Sequence, residues 1–86
     1  MSFNKKEFLE NICYTELVYG RINKKLDIHF TKEQIEKFTF KVLEETDENN
    51  FSKIGKNYYV VNSVYNVRIT INSNTFRIIT VDKLKK

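Results

Sequence analysis

Two arginines, a threonine and a tyrosine in the carboxy-terminal third are the residues of this chain best suited to chemistry. Arg68, Thr70 and Arg77 are interleaved with apolar residues in NVRITINSNTFRIITVDKL, residues 66–84. Strict alternation is the pattern of a strand with one buried face, so the polar partners share the other face. A guanidinium group meets a phosphate through a fork of N–H donors, and a tyrosine ring stacks on a nucleobase. Tyr59, Arg68, Thr70 and Arg77 are therefore candidates for contact with RNA or DNA. Lys56 and Lys83 are added as sources of positive field, with Lys53, Lys85 and Lys86 near them.

Other reactive residue types lack companions. His29 is the one histidine, set between Ile28 and Phe30, which favours a loop position over a general base. Cys13 is the one cysteine, so no internal disulfide or thiolate cluster forms, and a buried, inert thiol is expected. No Ser/His/Asp order, glycine-rich phosphate loop or metal-ligand spacing is present, so no catalytic residue, metal or cofactor is assigned. Glu44, Glu45, Asp47 and Glu48 form an acidic run. It reads as a solvated helix end, with docking to a basic protein as its functional alternative. Those carboxylates oppose the negative end of the helix dipole, a locally unfavourable arrangement.

Charge is polarised along the chain. Residues 31–50 hold three Lys/Arg against six Asp/Glu, whereas residues 51–86 hold seven against one. A basic segment of this kind attracts phosphate or acidic proteins. At 86 residues, 41% hydrophobic and 30% charged, the chain is one globular domain rather than a disordered one. No apolar run approaches the ~18 residues of a membrane span or the core of a secretory signal. The expectation is a cytoplasmic protein with no membrane partner. The absence of Pro and Trp, with abundant Lys, Asn and Ile, points to an AT-rich bacterial or phage source.

The elements that must position these residues are legible in outline. Helices are expected at about residues 4–13, 15–26 and 31–45. Asn4 with Glu7 resembles a capping box, and Thr31 with Gln34 is the clearest one in the chain. Val18, Ile22 and Leu26 form a four-residue ladder in the second helix, from which Arg21, Lys24 and Lys25 fall away. Whether the first two helices are continuous through Tyr14 is left open. From Gly55 onward the period is two, with strands at about 57–62, 66–72 and 75–81. The predicted class is α+β: three helices packed on one face of a three-stranded antiparallel meander. A winged helix, with the third helix entering the major groove, is the alternative; its mixed surface charges suit phosphates poorly.

A two-residue hairpin at Ser73-Asn74 sets the expected register. Residue 71 then faces 76, 69 faces 78 and 68 faces 79, and a turn near Ser63–Tyr65 sets Val60 opposite Val67. On that register Arg68 and Arg77 are diagonal neighbours with Tyr59 across from Arg68. Ile79 and Val81 join the same outer face, where they suggest a homodimer contact or a protein-binding patch.

NICYTELVYGRINKKL (residues 11–26), FTKEQIEKFTFKVLEET (30–46), GKNYYVVN (55–62) and NVRITINSNTFRIITVDKL (66–84) together resemble DUF3781, a family of small bacterial proteins of unknown function. That resemblance implies a single unit over most of the chain and brings no activity, substrate or cofactor with it. At the level of architecture the order of elements is similar to ribonuclease toxins of the RelE and barnase kind, which place basic and hydroxyl residues on an open sheet. The leading expectation is a non-enzymatic domain that presents a basic, tyrosine-bearing sheet face to RNA or DNA. A ribonuclease toxin, and a protein-interaction module or phage-type inhibitor, are the alternatives.

Overall fold

The first and third helices begin where a short polar side chain takes up a free backbone N–H. The structure, a computed structural model, describes residues 4–85, so Lys86 lies outside the described residues. Asn4 Oδ1 accepts the Glu7 N–H at 3.0 Å and opens α1, Lys5–Asn11. Thr15 precedes α2, Glu16–Leu26, so the first two helices are separate. Thr31 and Gln34 form the full reciprocal capping box of α3, Lys32–Glu45, at 3.1 and 2.8 Å.

The acidic end of α3 is relieved by a residue distant in sequence. The Lys5 ammonium of α1 donates to the carbonyls of Glu44 and Thr46, the latter at 2.6 Å. A cation there satisfies free carbonyls and offsets the helix dipole. Asp47 caps a 3-10 turn, Glu48–Asn50, by accepting the Asn49 N–H at 2.8 Å. Glu45 accepts the Tyr65 hydroxyl at 3.1 Å.

Four antiparallel strands follow, in the order β1 (Phe51–Ile54), β2 (Asn57–Asn62), β3 (Val67–Asn72) and β4 (Ile78–Lys83). The first was not expected from the sequence, because four residues at a sheet edge carry too little alternation. Gly55, at φ 63°, supplies the positive dihedral of the tight Gly55-Lys56 turn that joins it to β2.

The last hairpin corrects the expected register. Asn72 Oδ1 accepts from the N–H groups of Asn74 and Thr75, and its carbonyl accepts from Phe76 N–H at 2.9 Å. Phe76 takes φ 58°, so the loop closes at Asn72 and Arg77 around residues 73–76 rather than at Ser73-Asn74 alone. Ile71 then pairs with Ile78 but Thr70 with Thr80, leaving Ile79 as the extra residue of a bulge. Beyond that bulge the pairing differs from the expected one by an odd number, which turns β4 over. Val81, expected outside, pairs with Ile69 and is fully buried. Between β2 and β3 the difference is two residues, Val60 facing Ile69, and the faces are retained.

One core results. Phe8, the α2 ladder of Val18, Ile22 and Leu26, and Ile35, Val42 and Leu43 of α3 meet Val60, Val67, Ile69, Ile71, Ile78 and Val81. Phe8 sits edge-on against Phe51, Tyr58 and Phe76, with centroids 5.3 to 5.6 Å apart. The three helices thus cover one sheet face. The other is uncovered among the described residues.

Candidate nucleic-acid interface

The open face carries three rows read directly from the pairing. Ile54, Asn57 and Asn72 form the first; Ser52, Tyr59, Thr70 and Thr80 the second; Val61, Arg68 and Asp82 the third. Tyr59 is therefore directly beside Thr70 and diagonal to Arg68. Ser52, Ile54, Tyr59, Val61 and Arg68 line a shallow depression of about 440 Å³. Ile54 and Val61 give it an apolar floor, both being exposed.

The remaining sequence candidates are elsewhere. Arg77 is level with Asn72, four residues along β3 from Arg68, a separation of ~13 Å at strand rise. Its backbone is bridged to Cys13, which is exposed rather than buried and donates its thiol towards the Thr75 carbonyl at 3.6 Å. Lys56 sits in the β1–β2 turn at that same end, where its carbonyl accepts the Ser73 N–H. Lys83 pairs with Val67 and has the parity of buried Val81, so it leaves the sheet on the helix side. Arg68 and Tyr59 share a face; Arg77, Lys56 and Lys83 do not gather round them. His29 is exposed in the α2–α3 loop.

Arg68 is not a free cation. Its Nη2 is 3.8 Å from Asp82 Oδ2, while Asp82 Oδ1 is 3.2 Å from the Lys25 ammonium. Asp82 thereby ties the open face to α2, and the stronger basic surface begins there.

Leu17, Gly20, Arg21, Lys24 and Lys25 follow helical spacing down α2, on a stripe beside the buried ladder. With Ile79 and Thr80 of β4 they line a groove of about 890 Å³, towards the upper end of the range for ligand clefts. Arg21 Nη1 donates to the Ile79 carbonyl at 3.1 Å. That bond covers the edge of β4 and fixes the guanidinium, leaving four of its five N–H groups for a ligand. Gly20 keeps one wall low, with nothing within 4 Å of where a Cβ would stand. Leu17 is 78% exposed although apolar. Thr80 belongs both to this groove and to the Tyr59 row, so the two surfaces are continuous.

Sequence reasoning placed Arg21, Lys24 and Lys25 off the buried ladder and gave them no role. The signal was there as spacing, since Leu17, Arg21 and Lys24 repeat at helical intervals. What turns the stripe into a groove is the bulge at Ile79, which no local pattern announced.

Residues 6–82 match the family described as Protein of unknown function (DUF3781). The chain belongs to the DUF3781 family. No curated protein and no solved structure matches it. In this DUF3781 domain no helix among the described residues is long and apolar enough to cross a membrane. Among those residues no group of three His, Cys, Asp or Glu side chains could hold a metal ion.

Proposed function

We propose that the domain binds single-stranded nucleic acid, with the phosphate backbone along the groove between α2 and β4 and bases over Tyr59. The observation that carries this reading is the continuity of a cationic groove with an open, tyrosine-bearing sheet face. Arg21, Lys24, Lys25 and Arg68 stand against one carboxylate, Asp82. Leu17, Ile79, Ile54 and Val61 supply apolar contact that unstacked bases can use and the outside of a duplex cannot.

Fluorescence anisotropy with labelled single-stranded RNA and DNA tests it. Three phosphate contacts give a salt slope near −2, so affinity falls about twentyfold between about 50 and about 200 mM salt. Lys24→Gln removes one contact and flattens that slope by about 0.7. Lack of binding to single strands and duplex at the lower salt overturns the proposal. Intact labelled RNA at the end of the titration separates a binding domain from a ribonuclease.

A further inference from the structure

A second cavity, of about 190 Å³, lies on the helix side of the sheet, at the end where Val67 pairs with Lys83. Leu26, Ile28, Phe38, Tyr65 and Val67 form its walls, and the exposed Phe30 and Lys83 its mouth. The rings stand nearly at right angles, Phe30 to Phe38 at 6.1 Å and Phe38 to Tyr65 at 6.0 Å between centroids. Three separate hydrogen-bonded devices hold this end in place. The Asn23 side chain brackets the backbone of Phe30, donating to its carbonyl and accepting its N–H at 3.0 Å each. Asn66 does the same for Lys85, at 2.9 and 3.0 Å. The Tyr65 hydroxyl is directed to Glu45.

Lys83 is the anomaly. Strand parity gives it an inward-facing position, where Val81 before it is fully buried, yet it carries an ammonium group. Among the described residues it pairs with no carboxylate, whereas Lys25, Lys32 and Lys37 do. A cavity of about 150 Å³ accommodates benzene. This one has room for a ring with a short chain, and a cation stands where that chain would emerge.

We propose that this cleft binds a small monocarboxylate bearing one aromatic ring, the ring among Phe30, Phe38 and Tyr65 and the carboxylate on Lys83. The Tyr65 hydroxyl donates its hydrogen bond to Glu45, so it is not free to donate to a ligand, and Lys83 is the cation among the cleft's lining residues. The site faces away from the Tyr59 surface and is independent of nucleic-acid binding.

Amide chemical-shift titration of the full chain with 3-phenylpropionate and with neutral 3-phenylpropanol tests this. Saturable shifts at Tyr65–Val67 and Lys83 are expected at roughly millimolar concentration, as suits a ligand of this size. The acid should bind about fivefold tighter than the alcohol. Lys83→Met should bring the acid down to the alcohol's affinity, leave the alcohol unchanged, and leave binding to single-stranded RNA unaltered. Equal affinity for acid and alcohol, shifts centred on another surface, or no shifts at about 10 mM would each overturn the assignment.

Discussion

Replacing Lys5 by Met isolates the contact that ends α3. The methionine keeps most of the apolar stem and removes the ammonium, which donates to Glu44 and Thr46 and stands 6.0 Å from the centroid of the Phe51 ring. A hydrogen bond from a charged donor contributes about 1.5–3 kcal/mol where the acceptor is buried. Here the Glu44 bond is exposed and the Thr46 bond only partly buried, so water replaces much of what is lost. The two bonds together are then worth about 1.5 kcal/mol, to which loss of a cation at the helix end adds about 0.5 kcal/mol. Unfolding entropy for a chain of 86 residues is about 180 cal/mol/K, so a loss of about 2 kcal/mol lowers Tm by about 11 °C. Differential scanning calorimetry of the two proteins measures this directly. Lys6→Met is the control: an exposed neighbour on the same helix, expected to shift Tm by less than about 3 °C. If the two variants melt together, Lys5 does not cap α3, and the acidic helix end is tolerated for another reason.

Four further outcomes follow from the same geometry. Gly20→Ala should stabilise α2 by about 0.5–1 kcal/mol, seen as a rise in Tm, because a methyl there meets nothing. The same methyl narrows the groove, so weaker anisotropy binding alongside higher stability supports the site, and unchanged binding argues against it. Asn62→Ala breaks the buried bond to Thr46 Oγ1 at 2.9 Å and the one from Tyr65 N–H at 3.0 Å. It should cost about 2–3 kcal/mol in urea unfolding. Asp82→Asn releases Lys25 and Arg68 together and should raise affinity for single-stranded RNA severalfold at low salt; a loss of affinity would show that Asp82 positions these cations instead. Burial pushes Tyr14 up to about 12, and donation to Glu36 at 2.6 Å holds Tyr19 up to about 12. The unfolded chain loses these protons near pH 10, so both tyrosines contribute stability below that pH and lose it between about 10 and about 12. Phenolate absorbance of the folded protein should show two tyrosines titrating late, and Tyr19→Phe should remove one.

Local rules accounted for the local parts of this fold. The Thr31/Gln34 box, the Val18–Ile22–Leu26 ladder and the alternation from Val67 to Ile71 each depend on residues within a turn or two of one another. What the sequence concealed depends on distance. The Lys5 cap spans about forty residues, and β1 has too few residues to show a period. The hairpin was misread because Ser73-Asn74 satisfies a two-residue turn on composition. Asn72 instead spends its side chain on Asn74 and Thr75, and Phe76 accepts a left-handed backbone to seat its ring against Phe8. Tertiary packing of one aromatic residue outweighed local turn preference.

That single choice relocates the chemistry. Had the strands met as the short turn implies, Arg77 and Val81 would have joined Arg68 on the water side. The bulge at Ile79 instead buries Val81, sets Asp82 across from Arg68, and turns Ile79 and Thr80 towards α2. Asp82 then occupies the point where a helix cation and a sheet cation converge, one carboxylate oxygen towards each. A phosphate has the same charge sign and the same capacity to meet two cations at once. The geometry that removes Arg77 from the face thus supplies Lys25 in its place, through a residue that no motif singled out. Sequence alternation identifies which residues share a strand face; which cations share a ligand depends on where the strand slips.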